Sequence, residues 1–240
     1  MKTIILKFSG PLQSWGINSN FETRDTARHP TKSAVIGMIA SALGYRRDEE
    51  EKISKLNQLS FGVRVEQQGT LLRDFHIARS TKQSYVTNRY YLQDAVFLVM
   101  ISHQDSKYIE TIEKALKHPV FPLYMGRRSA PVNSDFFVDC IEADLCSIIK
   151  SYPWQASKWY MKRNQNKNKI ILDAFVDVNL INDFSQPIYT KDEVLSFDIR
   201  NRRHGFRAVK AIGIELLIQE QKEETYEETK HDIFQWLGGK

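Results

Sequence analysis

The chain has 240 residues, of which 42% are hydrophobic and 26% are charged, and this composition indicates a globular protein rather than a disordered one. Its formal net charge of +5 favours an acidic or polyanionic partner. Two cysteines, Cys140 and Cys146, are too few for a disulfide scaffold, and the apolar runs are too short for a signal peptide or a membrane span. We therefore expect a soluble, cytoplasmic protein that has two buried thiols, no cofactor and no membrane contact.

Apolar periodicity predicts alternating strands and helices in the first half of the chain. A strand at residues 3–8 is stopped by Ser9-Gly10-Pro11, and a helix begins at Pro30-Thr31-Lys32-Ser33 and ends at Gly44. Then follow a charged helix at residues 48–56, a strand at 59–65 and an extended segment at 71–76. A polar hairpin at residues 78–91, a buried strand at 95–102 and an amphipathic helix at 107–116 complete this half. This order predicts an α+β, ferredoxin-like domain over residues 1–120, with a protruding hairpin at about residues 78–94.

The second half, residues 121–240, predicts a smaller and mainly β region. It opens with an arginine-bearing loop, which is followed by a short strand with a helix at residues 136–149 and a basic stretch at 157–169. A strand at residues 170–178 and two strands around a basic run at 194–215 come next. An acidic, helix-compatible tail follows at residues 220–232.

Two segments contain residue types that suit an anion. In Gly126-Arg127-Arg128-Ser129, a glycine and the following Pro131 stiffen a turn that can hold two guanidinium groups in fixed directions for phosphate oxygens. The predicted helix start offers free backbone N–H groups together with Thr31, Lys32 and Ser33. The alternatives are a solvated surface turn and ordinary helix capping by Thr31 or Ser33.

The predicted hairpin interleaves aromatic and basic side chains, a pattern typical of single-stranded nucleic-acid binding, because rings stack on bases while cations follow the backbone. The residues concerned are Arg79, Lys82, Tyr85, Arg89, Tyr90 and Tyr91. An ordinary solvated hairpin is the alternative. Together with the stretch at residues 157–169 and the run at residues 200–207, the basic residues would form a track for a polyanion if the fold brings them to one side.

Catalytic signatures are weak. The six histidines are scattered, and the sequence contains no HExxH, CxxC, P-loop or GxGxxG motif. His76, two residues after Asp74, is a candidate oriented base. Metal-free RNA cleavage would use residue types such as those of Tyr45, Lys82, Tyr85 and His204.

Four ordered blocks resemble the CasD family, a subunit of the CRISPR Cascade surveillance complex of subtype I-E. The blocks are Ser9-Gly10-Pro11-Leu12-Gln13-Ser14-Trp15-Gly16, then Arg24 with Pro30-Thr31-Lys32-Ser33 and Gly37, then Leu72-Arg73-Asp74-Phe75-His76 with Arg89-Tyr90-Tyr91-Leu92-Gln93-Asp94-Ala95, and finally Tyr124-Met125-Gly126-Arg127-Arg128-Ser129-Ala130-Pro131. Tyr90 and Gln93 depart from the family pattern, which has glutamate and cysteine there. The match covers residues 1–131 and is looser beyond them.

The resemblance implies a RAMP-type ferredoxin-like fold with a thumb hairpin and a non-catalytic subunit that binds and caps the five-prime handle of CRISPR RNA. Its implied neighbours are the guide-coating backbone subunit, the large subunit and, through the complex, target DNA. We expect phosphate contacts from Arg24, Thr31, Lys32, Ser33, Arg127, Arg128 and Ser129, base contacts from Tyr85, Arg89 and Tyr90, and weaker roles for Arg73 and His76. Trp15 would pack behind the loop. The alternatives are a metal-independent ribonuclease that processes precursor RNA, as in subtype I-C, and a protein-only scaffold.

Overall fold

The computed structural model describes residues 1–17, 22–81, 83–181 and 186–218. The fold is α+β, as predicted. In these ranges the strands are β1 (Lys2–Ser9), β2 (Leu12–Gln13), β3 (Trp15–Gly16), β4 (Thr23–Arg24), β5 (Thr26–Ala27), β6 (Ser60–Gln67), β7 (Thr70–Arg79), β8 (Ser84–Gln93), β9 (Val96–His103), β10 (Phe137–Ile141), β11 (Lys169–Asp177), β12 (Ile188–Ser196) and β13 (Arg203–Leu217). The helices are α1 (Lys32–Ala42), α2 (Glu50–Leu56), α3 (Ser106–Lys117), α4 (Leu145–Ser151) and α5 (Lys158–Asn164), with a 3-10 turn at Val178–Leu180. Of these described helices, none has the length and apolar character needed to cross a membrane.

One antiparallel sheet of seven strands organises the molecule, in the order β10-β1-β9-β6-β11-β13-β12. The part β10-β1-β9-β6, with α1 and α3 as its connections, has the strand order of a βαββαβ unit. Strands β11, β13 and β12 extend the same sheet beyond β6. The sheet therefore continues across residue 120, where the sequence analysis divided the chain.

The central strands β1, β6 and β9 are buried on both faces, and this explains the continuous apolar run that the sequence shows at β9. Along β1, Ile4 packs with the helices α1, α2 and α3, whereas Ile5 packs with α4 and with β11. Residues 96–102 of β9 are buried throughout. The central strands therefore form a rigid platform, and the helix α1 is fixed to it along most of its length.

The hairpin β7–β8 has ten paired residues in each strand, from Thr70 opposite Gln93 to Arg79 opposite Ser84. It is longer than predicted, because the extended segment at residues 71–76 is its first strand. The other edge of β8 pairs with β2 and, in parallel, with β4. These pairings anchor the base of the hairpin, while most side chains towards its tip are exposed.

Two further differences from the sequence analysis concern the second half. The basic stretch at residues 157–169 contains the helix α5, which was not predicted, because the stretch has only a short apolar pattern. The acidic tail at residues 220–232 lies outside the described residues, as does Lys82.

Candidate RNA interface

The arginine loop, residues 124–131, is held against the segment that follows β1. Its ends form a bridge between Tyr124 and Pro131, and the backbone N–H of Met125 donates to the carbonyl of Ala130 at 2.7 Å. The backbone N–H of Ser14 donates to the carbonyl of Met125 at 3.1 Å. Trp15 is fully buried and stacks on Phe8 in the same core cluster as Met125, which agrees with the structural role expected for it.

Gly126 is the residue that permits this contact. Its φ is 86°, in the left-handed region that other residues rarely adopt, and a Cβ at this position would lie 1.6 Å from the carbonyl oxygen of Ser14. The glycine thus allows the backbone of the loop to approach the backbone at Ser14, and this contact fixes the position of the backbone at Arg127 and Arg128.

The two arginines of the loop have different environments. The guanidinium of Arg127 lies 4.3 Å above the ring of Tyr91 and donates from Nη2 to the carbonyl of Arg24 at 3.1 Å. Its Nη1 is buried and has no acceptor among the described residues. Arg128 is exposed and forms no ion pair with any described acid. Arg127 is therefore positioned by the fold, whereas the exposed side chain of Arg128 has no ion-pair partner among the described residues.

The positive charges of Arg127 and Arg89 act on the hydroxyl group of Tyr91. Burial acts to raise the pKa of Tyr91, but the hydrogen bond and charge of Arg127, a hydrogen bond from Ser129 and the charge of Arg89 outweigh it, so the pKa is lowered. The same field stabilises any bound anion.

A cleft of about 640 Å³ opens beside the loop and is lined by residues from several distant segments of the chain. Its charged lining residues are Arg24, Asp25, Arg46, Arg47, Arg127 and Arg202. The lining thus contains five cations and one acid. Thr31 and Ser33 also belong to the lining. The cleft therefore brings the arginine loop and the start of α1 to one space, which the sequence analysis had left open, although Arg128 is not among its lining residues.

The start of α1 is already occupied by an anion from the protein itself. The carboxylate of Asp192 accepts from the backbone N–H of Lys32 at 2.8 Å, and the side chain of Thr31 caps the helix at Ala34. The Lys32 ammonium is buried and lies 3.2 Å from the carboxylate of Asp177. Burial lowers the pKa of Lys32 despite this partner. The Lys32 ammonium thus already pairs with a carboxylate of the protein, which argues against the phosphate contact expected for this side chain.

The hairpin places its candidate residues on two opposite faces, because side chains alternate along a strand. His76, Tyr85 and Arg89 share one face, and Tyr91 continues this face towards the arginine loop. Arg73 and Tyr90 lie opposite each other on the other face. All five cannot contact one stretch of RNA from the same side, so the sequence prediction divides into two groups.

Arg89 belongs to the same cationic group as the loop. It is paired in register with Arg24 across the parallel β8–β4 contact, and its buried Nε has no acceptor among the described residues. Buried N–H groups of this kind are costly unless they find an acceptor. Arg24, Arg89 and Arg127 therefore form one surface from the base of the hairpin to the cleft.

Comparison with known proteins identifies the family. The family model described as "CRISPR-associated protein (Cas_Cas5)" matches residues 3–210. The chain belongs to the Cas5 family. It is 31% identical over 160 residues to the CRISPR system Cascade subunit CasD of Escherichia coli (strain K12), a match that covers 58% of this chain and 71% of that protein.

Solved structures agree with this assignment. A chain of a structure titled "CRISPR RNA-guided surveillance complex" has a TM-score of 0.74 and 28% identity, with 90% of this Cas5 chain and 91% of that chain covered. A "Crystal structure of Cas protein" has a TM-score of 0.63 and 31% identity, with 88% and 94% covered. The resemblance to the CasD family is thus confirmed.

The basic run at residues 200–207 of this Cas5 chain is divided by the fold. The guanidinium of Arg207 is directed inwards, where it donates to Asp177 and forms two hydrogen bonds of 3.0 and 2.9 Å with Asp192. Arg202 lines the cleft, and Arg200 and Arg203 are exposed elsewhere. The sequence could not separate these roles, because the acids that neutralise Arg207 are distant along the chain.

The catalytic candidates lie in at least two places, the hairpin and the cleft with its surroundings. His76 Nε2 lies 2.7 Å from the carboxylate of Asp74, the contact that the sequence suggested, but both side chains are exposed on the hairpin. Tyr45 lines the cleft. Burial, followed by the charge of Arg202, lowers the pKa of His204. In the described ranges no group of three or more histidine, cysteine, aspartate or glutamate side chains could hold a metal ion.

Two cleft residues that the sequence analysis did not select are Arg46 and Arg47. They directly follow the residues that end α1, where Gly44 has a φ of 76°. A pair of adjacent arginines after a helix stop was the available signal, but such a pair is common in solvated loops.

Proposed function

We propose that this Cas5 chain is a Cascade subunit that binds the five-prime handle of CRISPR RNA and does not cut it. The relationship to CasD supports the Cascade role, and the cleft lined by five arginines and one acid supports the RNA role. The guide-coating subunit and the large subunit of Cascade would be its neighbours, with target DNA engaged through the complex.

The handle is proposed to lie along the surface that joins the hairpin to the cleft. Arg24 and Arg127 would hold phosphates, since a guanidinium offers planar, charge-assisted hydrogen bonds to phosphate oxygens. Arg128 and Ser129 would add contacts from the exposed side of the loop, and Thr31 and Ser33 would add hydroxyl groups from the wall of the cleft.

On the hairpin, Tyr85, Arg89 and His76 are proposed to face the RNA, because their face continues through Tyr91 to the arginine loop. Tyr85 is 51% exposed and can stack on a base. Arg73, whose Nε donates to Asn88 at 3.0 Å, and Tyr90 belong to the opposite face, and we assign them no base contact.

The central test is binding of handle RNA by the full chain. The double variant Arg24→Glu/Arg128→Glu reverses two exposed cations of the proposed path, and its affinity at 0.1 M salt should fall by at least about 25-fold, since each lost single-strand phosphate contact costs about 5-fold there. Circular dichroism should show an unchanged fold. A matched control, Lys162→Glu/Arg163→Glu, makes the same charge change on exposed residues of α5 that do not line the cleft.

The outcomes separate binding from general electrostatics. Strong loss in the first variant with a small loss in the control supports the proposal. Equal losses would show that only net charge matters, and normal affinity of the first variant would remove these residues from the interface. A wild-type chain that shifts no RNA at any salt concentration would instead favour a protein-only scaffold.

The second candidate function is metal-independent cleavage of CRISPR precursor RNA, and the contact between His76 and Asp74 favours it. Repeat RNA incubated with the chain in EDTA distinguishes the two. Specific cleavage that is lost on His76→Ala, or on Tyr45→Phe in the cleft, would establish a ribonuclease. Intact RNA with shifted mobility would support the binding subunit.

A further inference from the structure

Three arginines of the cleft lie outside the arginine loop and form a separate group. Arg46 and Arg47 follow the end of α1, and Arg202 lies in the connection between β12 and β13. All three are exposed, and none forms an ion pair with a described acid. Exposed arginines that converge on one concave surface are a phosphate-binding arrangement.

Two of the acids near this group, Glu49 and Asp198, already have partners in the protein. Glu49 pairs with Lys52 and accepts from the backbone N–H of Arg46 at 2.7 Å. Asp198 accepts from the backbone N–H of Arg200 at 2.8 Å and thereby shapes the turn. Asp25 is the one acid in the lining of the cleft. Because none of the three guanidinium groups forms an ion pair with a described acid, each can still pair with a ligand.

Aromatic rings lie between the charges. Tyr45 directly precedes Arg46 in the lining, and the guanidinium of Arg202 lies 5.9 Å from the ring centre of Phe197, which also lines the cleft. Rings interleaved with arginines are the usual surface for single-stranded RNA. The volume of about 640 Å³ is in the range of sites that hold whole small molecules, roughly 300–1,000 Å³, and exceeds what one phosphate group needs.

We propose that Arg46, Arg47 and Arg202 form a second phosphate-binding site, so that the cleft holds a single-stranded RNA segment whose successive phosphates join this site to the arginine loop. This inference rests on the proposed RNA-binding function and extends it: the loop is one end of the binding path, and the connection between β12 and β13 is the other. The C-terminal part of the sheet, through Arg202, then contributes directly to RNA binding.

The test is the salt dependence of handle RNA binding by the full chain. The triple variant Arg46→Gln/Arg47→Gln/Arg202→Gln should bind about 100-fold more weakly at 0.1 M salt, and the slope of log K against log salt should become shallower by about 2, because each single-strand phosphate contact contributes about 0.7. The matching triple lysine variant keeps the charges and should retain most of the slope. Thermal melting should be unchanged, since all three side chains are exposed.

The control is Arg200→Gln/Arg203→Gln, which removes two exposed arginines that flank Arg202 and do not line the cleft. It should leave the slope within about 0.7 of the wild type. A triple glutamine variant with wild-type affinity and slope, while Arg24→Glu/Arg128→Glu loses binding, would overturn the second site and leave the proposed function intact. A wild-type chain that binds no handle RNA would overturn both.

Discussion

Replacing Gly126 by alanine tests whether the arginine loop depends on its close contact with Ser14. The substitution adds one methyl group and changes no charge. Because the φ of residue 126 is 86°, an alanine there must adopt the left-handed conformation or force the loop to rearrange. Its Cβ would lie 1.6 Å from the carbonyl oxygen of Ser14, so the present position of the loop is excluded.

Two terms set the expected loss in the free energy of unfolding. The left-handed conformation costs an L-residue about 1–2 kcal/mol. Movement of the loop away from Ser14 breaks the hydrogen bond from the Ser14 N–H to the Met125 carbonyl, whose net contribution is about 1 kcal/mol. The sum is about 2–3 kcal/mol, or a decrease of about 1 M in the midpoint of urea unfolding for a slope of about 2–3 kcal/mol/M.

Gly44→Ala is the matched control for the first term alone. Gly44 has a φ of 76°, and a Cβ there would meet only side-chain atoms of Val120, the nearest at 3.1 Å. It should lose about 1–2 kcal/mol, and the difference between the two variants measures the contact with Ser14. Gly126→Ala should also weaken handle RNA binding, since it displaces Arg127. Equal urea midpoints for the two variants, or wild-type RNA affinity in Gly126→Ala, would refute the reasoning.

The remaining predictions concern the interior and the thiols. Arg207→Met should lower the free energy of unfolding by about 3–5 kcal/mol, because it leaves the buried carboxylates of Asp177 and Asp192 without their shared partner. The control Arg203→Met, at an exposed position, should change it by less than about 0.5 kcal/mol. Urea unfolding measures both variants. Burial alone would raise the pKa of Asp192, but the hydrogen bonds and charge of Arg207 outweigh it, so the pKa in the folded chain is lowered. The stabilising contribution of the Asp192 carboxylate is therefore present above about pH 4 and is lost as the pH falls through its pKa in the folded chain. Asp192→Asn should therefore flatten the acid limb of a stability profile, and an unchanged limb would contradict this. Burial, together with a hydrogen bond to Glu113, raises the pKa of Cys140 to about 12. Because the thiolate is the reactive form, iodoacetamide at pH 8 should modify Cys140 far more slowly in the folded than in the unfolded chain. Mass spectrometry measures the extent of modification.

Local patterns in the sequence were sufficient for some of the elements. The apolar run at β9 and the helix α1, from its Thr31 cap to Gly44, lie where periodicity and capping rules place them. These features depend on residues close in sequence. The full length of the hairpin was missed because the polar residues of β7 show no buried face from which a strand could be recognised.

The role of individual cations could not be predicted, because their partners are distant along the chain. Lys32 and Arg207 have no acid close to them in sequence, yet Lys32 pairs with Asp177 in the interior, and Arg207 pairs there with both Asp177 and Asp192. An acid-free stretch of sequence therefore does not establish a free charge.

Because Asp177 and Asp192 pair with Lys32 and Arg207, these two cations are not available to a ligand. The two carboxylates fix the start of α1 to β11, β12 and β13, and this contact brings the connection that carries Arg202 to the cleft beside α1. The ion cluster joins the C-terminal strands to α1, and Arg202 lies in the lining of the cleft that the arginine loop also borders. For this reason loss of Arg207 should weaken both the fold and the proposed RNA path, whereas loss of Arg202 should weaken the RNA path alone.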